Sequence, residues 1–218
     1  YKRQTPRAGA IGIRRCLKLL ITDFVSRLDT EKEFIMSDAK KVTVSKPKVG
    51  GAVYRAPLGT TPPTDATTAL DKAFKSLGYI SEDGLTNSNS PESDSIPAWG
   101  GDKVLYYQTA KDDTFGFMLI EAMNEDVLKT VYGDKNVTGT LADGLTVKAT
   151  AVEAADSVWV VETILRGGAV KRIVIPCAHI TEIEDIVYKD DEPLGYGVTL
   201  GATPDDSGVT HYEYIKGA

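Results

Sequence analysis

The chain has 218 residues, of which 42% are hydrophobic and 26% charged, and it carries a formal net charge of −6 with only two cysteines, Cys16 and Cys177. That length is enough to bury one sizeable core. The acidic balance argues against tight sequestration of nucleic acid, whose phosphates require a basic surface, and two cysteines exclude a disulfide framework or a paired-cysteine metal site, so a reducing interior is the natural compartment.

The chain opens on Tyr1, and Lys32-Glu33, which a ribosome-binding site would encode in this frame, stands just ahead of Met36. Translation is therefore expected to begin at Met36, with residues 1–35 upstream sequence read in frame or a disordered leader, and residues 36–218 a single β domain with an N-terminal arm. The first 35 residues hold eight Lys/Arg and four Asp/Glu, so the net −6 of the chain becomes −10 over residues 36–218. The apolar run after Arg14-Arg15 loosely resembles a secretory signal, but Lys18 and Asp23 interrupt it and no small-x-small cleavage site follows. It is also too short and too charged to span a bilayer.

From Ala39 to Lys48 the sequence is basic and β-branched, which reads as an extended arm or as an edge strand blunted by lysines and Pro47. Val53–Ala56 is extended and breaks at Pro57 and Gly59. After Pro62-Pro63, Asp65 is placed to cap a helix carrying Leu70, Phe74 and Leu77, with Gly78 as its terminating glycine. Tyr79-Ile80 re-enters extended structure and Asp83-Gly84 reads as a turn. Thr86–Ser95 is polar and turn-rich, hence a long surface loop.

Strand signals then dominate. Lys103–Thr109 and Thr114–Ile120 flank Lys111-Asp112-Asp113, which reads as a hairpin turn. Asn124 caps a second helix, with Glu125 and Asp126 favourable in its first turn, Val127, Leu128 and Val131 as its apolar face, and Gly133 at its end. Further hairpins are expected at Asp143-Gly144 and Gly167-Gly168, and between strands Ile183–Tyr188 and Tyr196–Leu200; a last strand covers Thr210–Ile215. The pattern defines a mainly β fold: an antiparallel β-sandwich or barrel with one or two short α-helices.

No constellation proposes catalysis or a cofactor. His179 and His211 lack partners at metal-ligand spacing, and Cys177 reads as a small buried hydrophobe. The acidic clusters Asp112-Asp113, Asp190-Asp191-Glu192 and Asp205-Asp206 fall in expected turns and do not match an EF-hand loop. The glycine pairs lack the lysine and helix of a phosphate loop, and no nucleophile elbow occurs. Trp99 and Trp159 are expected as core or interface anchors.

Two phrases are distinctive: Ala56-Pro-Leu-Gly-Thr-Thr-Pro-Pro-Thr-Asp-Ala66 and, about a dozen residues later, Leu77-Gly-Tyr-Ile-Ser-Glu-Asp-Gly-Leu85. They resemble the N-terminal part of the tail tube (major tail) proteins of long-tailed bacteriophages, and the likeness runs from about Met36 to Lys216. It implies a tail-tube-like fold and a virion structural protein, assembled in the host bacterial cytoplasm, that polymerises as stacked, usually hexameric rings into the conduit for DNA ejection. The implied partners are further copies of the chain, a tape-measure protein, a tail terminator, and baseplate or distal tail proteins. DNA would pass without specific binding, and no membrane is involved. Candidate inter-subunit contacts are Val42 and Val44 in the arm, Pro57, Leu58, Gly59, Thr60 and Asp65 in the following loop, and Asn87, Pro91 and Trp99 further on. Other readings stay open: a monomeric β-sandwich ligand-binding module, an enzyme on a β scaffold, or the tube subunit of a contractile injection device.

Overall fold

The axis of the fold is a strand pair made by two long apolar β segments. In the computed structural model, which describes residues 37–218, β8 (Ser157–Leu165) and β9 (Val170–Ile183) form this antiparallel pair around the Gly167-Gly168 turn. Both glycines take positive φ, 80° and 84°, a backbone that a side chain would strain. The expectation for residues 1–35, and Cys16 with it, lies outside the described residues. Residues 43–218 form one compact unit. Just ahead of it, Ala39–Lys41 make a short 3-10 turn capped by Asp38.

The remaining strands are β1 (Ser45–Pro47), β2 (Val53–Pro57), β3 (Lys75–Ser76), β4 (Ile80–Pro97), β5 (Lys103–Leu119), β6 (Val137–Thr140), β7 (Gly144–Val147), β10 (Tyr196–Ala202) and β11 (Tyr212–Lys216). Nine of the strands make one antiparallel sheet in the order β3-β2-β8-β9-β10-β5-β4, with β1 also on β8 and β11 also on β9. β6 and β7 form a separate hairpin closed at Asp143-Gly144, as expected. The fold is mainly antiparallel β, consistent with a sandwich; the sheet ends at β3 and β4 and closes into no barrel.

Residues Ser157–Glu162 of β8 are buried without a break, so both faces of this strand are covered. Trp159 and Val161 face the larger core, with Phe115, Phe117 and Leu119 from β5 and Val198 and Leu200 from β10. Val158 and Val160 face a smaller core with Ala56, Phe74 and Val174, against which Tyr212 and Tyr214 of β11 pack. The helix α1 (Glu125–Tyr132) lays Val127, Leu128 and Val131 into the larger core. It starts as the sequence indicates: the Asn124 side chain accepts from the Asp126 N–H at 3.0 Å, and Gly133 ends it at φ 96°.

Five expectations are corrected. No helix forms after Asp65. The Asp65 carboxylate does accept the N–H groups of Thr67 and Thr68, each at 2.6 Å. However, the carbonyls of Asp65 and Thr68, which a helix would bond internally, accept instead from the Arg172 guanidinium at 2.7 and 2.8 Å. The segment stays irregular, and Phe74 and Leu77 reach two different cores. Thr86–Ser95 is strand, not loop, and Lys111-Asp112-Asp113 is no turn: β4 and β5 pair as one long hairpin, with register shifts at Glu92/Ser93 and Ile96/Pro97. Asp83-Gly84 lies within an irregular stretch of β4, where the six residues Ile80 to Leu85 are set against the three from Leu119 to Phe117, and it does not reverse the chain. Finally, no strand covers Ile183–Tyr188: Ile183 is the last residue of β9, paired with Val198, and residues 184–188 are irregular.

Gly78 does need its glycine, for a reason unconnected with helix termination. At φ 73° it turns the chain from β3 into β4, and a Cβ there would meet the Glu121 carboxylate at about 2 Å. That carboxylate accepts the Tyr79 N–H and the Asn124 side-chain amide, both at 3.0 Å, tying the turn to the start of α1. Gly78→Ala is expected to destabilise the protein by about 1–2 kcal/mol through the left-handed backbone alone, with more if Glu121 is expelled. Urea denaturation compared with Gly84→Ala, where a Cβ meets nothing within 4 Å, separates the steric part from the backbone part.

Candidate assembly surface

The inward row of β5 shows where the body ends. Asp113, Phe115, Phe117 and Leu119 alternate as buried positions, and from Asp112 back to Lys103 almost every residue is exposed. The β4 residues paired with them, Ser90–Pro97, are exposed almost throughout. At about 3.3 Å per residue these lengths, eight residues on β4 and ten on β5, project roughly 30 Å from the body. A two-stranded ribbon with both faces in water is marginal on its own.

Its composition is split along its length. The shaft carries Asn, Ser, Glu, Asp and Lys, together with Pro91, whose missing N–H suits β4's position at the sheet edge. The head is apolar: Ile96, Val104, Leu105, Tyr106 and Tyr107 are all exposed, with Lys103 Nζ 5.9 Å above the Tyr106 ring. Ile96 pairs with Leu105 and so shares a face with it and with Tyr107, while Val104 and Tyr106 occupy the other face. At the turn the Ala98 N–H donates to the Asp102 carbonyl at 2.7 Å, Gly100 and Gly101 take positive φ, and Trp99 stands fully exposed. Six large apolar side chains clustered in solvent mark an interaction surface.

Of the contact candidates read from the sequence, Asn87, Pro91 and Trp99 fall on this one hairpin, at its base, shaft and tip. Pro57, Leu58 and Gly59 are exposed at the end of β2, where the Thr60 hydroxyl donates to the Pro57 carbonyl at 2.8 Å. Asp65 is half-buried in the same loop. Val42 and Val44 are exposed ahead of β1. Trp99 is thus a surface residue, whereas Trp159 is the core anchor, its indole N–H donating to the Ala178 carbonyl at 3.1 Å. The exposed Leu105, Tyr106 and Tyr107 were not singled out from the sequence, although the run Val-Leu-Tyr-Tyr already broke the alternation of a half-buried strand.

Beneath the Pro57–Asp65 loop lies a buried charge cluster on β8 and β9. Glu162 and Arg172 are cross-strand partners with side chains 1% exposed each. Arg172 donates through Nε to Glu162 Oε1 at 2.9 Å and through Nη2 to the same oxygen, while its remaining N–H groups hold the Asp65 and Thr68 carbonyls. Lys48, next to β1, reaches Glu162 Oε2 at 2.7 Å. One buried pair therefore ties the arm, the loop and the central strands together. Its sequence signal was a lone Glu in the apolar run Val158–Leu165, opposite an Arg at the matching distance across the turn.

The Thr68 hydroxyl, then the Thr68 and Thr67 N–H groups, hold the Asp65 carboxyl down at about 2. Asp113 also lies below its ordinary value: burial pushes it up, but donors from Thr210, His211 and Asn87 outweigh that. Both groups are depressed on folding, so their stabilisation is complete above the unfolded carboxylate range, near 3.9, and is lost as pH falls through the folded values. The urea midpoint is expected to be flat from about pH 7 to 5 and to fall between roughly pH 4 and 2. Asp65→Asn, which keeps an acceptor for the two N–H groups but never carries the charge, should make that acid slope shallower by lowering stability at neutral pH towards its acid value.

His179 makes a half-exposed pair with Asp156 at 3.0 Å, and Cys177 is half-buried, its thiol pushed up by burial. Among the described residues no group of three or more His, Cys, Asp or Glu is placed to hold a metal ion. None of the helices described there is long and apolar enough to cross a membrane.

An antiparallel β body with a projecting, apolar-headed hairpin is the build of a subunit made to contact other protein chains. The chain belongs to the phage tail tube protein family, whose model, described as "Phage tail tube protein", matches residues 40–218. It is accordingly a structural protein of the phage tail. No curated protein matches it.

Proposed function

We propose that the protein polymerises as stacked, hexameric rings into the tail tube through which genomic DNA leaves the virion. The observation that carries this, beside the family, is the β4–β5 hairpin with its six exposed apolar residues at the head. A neighbouring subunit would bury them, and a head-to-tail contact of this kind closes into rings or extends into a filament. The free edge of β4 and the loop Pro57–Asp65 are further candidate contacts, as is the arm with Val42 and Val44. The net charge of −10 over residues 36–218 suits a lumen to which DNA does not adhere. Tape-measure, terminator and distal tail proteins are the expected partners, and the host cytoplasm the site of assembly.

The test is negative-stain electron microscopy of the purified full chain at increasing concentration, with size-exclusion chromatography alongside. Rings or hollow tubes of uniform width are expected. A strict monomer at every concentration, even after co-expression with the neighbouring tail proteins, would overturn the proposal and favour a monomeric binding module.

A further inference from the structure

The hairpin leaves the body at a single buried carboxylate. Asp113 is the last buried member of the inward β5 row, and its neighbours on that face toward the tip are in solvent. Three donors from two other segments converge on it. Asn87 of β4 donates its amide to Asp113 Oδ1 at 2.8 Å and to the Thr114 carbonyl at 3.1 Å. The Thr210 hydroxyl donates to Oδ2 at 2.6 Å, and His211 Nδ1 contacts the same oxygen. The His211 ring also meets Phe115 edge-on, with centroids 5.3 Å apart. Thr210 and His211 immediately precede β11, which is paired to β9 in the middle of the sheet. The base of the hairpin is thereby bonded, across the fold, to a segment anchored on the central strands.

The position is unusual in its economy. An apolar residue at 113 would extend the core by one step but leave the exit angle of the ribbon to strand twist alone. A carboxylate with both oxygens engaged is directional, and a small change of angle at the base is magnified along a ribbon roughly 30 Å long. We propose that Asp113 is a positioning residue: through Asn87, Thr210 and His211 it fixes the direction in which the hairpin leaves the body, and so where its apolar head meets a second copy of the chain. The positioning role concerns the free subunit; its consequence for assembly rests on the tube reading above.

The experiment is pulsed electron spin resonance on the full chain with Cys16→Ser and Cys177→Ser, spin-labelled at Ser93→Cys on the hairpin and Lys135→Cys on the body. Parallel samples carry Asp113→Ala, Asn87→Ala or Thr210→Val. The Asp113-containing protein should give one narrow distance distribution. Asp113→Ala should broaden it at least twofold, and the two milder variants, each removing one donor, should broaden it by less. Should Asp113→Ala fail to fold, the other two carry the test by themselves. Equal widths in all folded variants would overturn the proposal, as would equal broadening of a control pair, Thr150→Cys and Glu182→Cys, confined to the body. Tube formation is scored separately by electron microscopy. Absence of tubes from the Asp113 protein counts against the tube reading while leaving the distance result standing. Undiminished tubes from Asp113→Ala overturn the role in assembly.

Discussion

Arg172→Met is expected to destabilise the protein by about 3–5 kcal/mol, the range for removing one partner of a buried ion pair. The side chain is 1% exposed and its loss strands three acceptors at once: the equally buried Glu162 carboxylate and the carbonyls of Asp65 and Thr68. Lys48 remains on Glu162 Oε2, but it is partly exposed and cannot follow the carboxylate's other oxygen inward. Glu162→Gln should destabilise by less, since an amide oxygen still accepts from the guanidinium. The double variant Glu162→Leu/Arg172→Met removes both buried charges, which for an isolated pair is often near neutral. Here it should recover only part of the loss, because the two loop carbonyls still lack their donor and Lys48 loses its acceptor. Guanidinium denaturation gives the free energies, and the thermal midpoint of Arg172→Met should fall by roughly 10 °C, at about 2–4 °C per kcal/mol for a chain of this size. A loss below about 1 kcal/mol would show that water reaches the cluster and that the loop is held by other means.

What could be read from the sequence divides along a physical line. α1 and the hairpins at Asp143-Gly144 and Gly167-Gly168 were legible because each is decided within a dozen residues, by a cap or by glycines that accept positive φ. The mainly β class followed from the same local signals. The segment after Asp65 misled because its caps and its i, i+4, i+7 apolar spacing are helical, and the competing donor, Arg172, stands 107 residues away. The long hairpin misled for the opposite reason. A strand with both faces in water has no alternation to reveal it, so Thr86–Ser95 has the composition of a loop. Lys111-Asp112-Asp113 looked like a turn because polar residues there mark the passage from shaft to core. The contact candidates Asn87, Pro91 and Trp99 all lie on this one hairpin, since a polar stretch ending in an exposed Trp suggests contact whether it is loop or ribbon. The head residues on β5 were missed, because Val104–Tyr107 reads as ordinary core strand until its burial is known.

Replacing Pro91–Lys111 by Asn-Gly, which joins the paired residues Ser90 and Asp112 through a tight turn, is expected to leave the body folded and to abolish tubes. No residue from Pro91 to Lys111 is buried, and only Ser95 and Ala110 are even half-buried, so the larger and smaller cores lose nothing. The denaturation midpoint should therefore move by no more than about 1 kcal/mol, the scale of surface changes. The assembly term is far larger. Each large apolar side chain fully buried against a neighbour contributes about 1.5–3 kcal/mol, and the hairpin head offers six of them on every subunit. Even after the ordering costs of association, removal should raise the concentration needed for assembly by several factors of ten, at about 1.4 kcal/mol for each. The point variants Trp99→Ala and Leu105→Ser/Tyr107→Ser should fall between, each raising that concentration roughly tenfold or more. Sedimentation velocity reads the concentration and electron microscopy reads the product. Tubes of unchanged width from the shortened chain, at the concentration the full chain needs, would show that the head is solvent-exposed in the assembled state too. The contacts would then lie on the β4 edge, the Pro57–Asp65 loop or the arm.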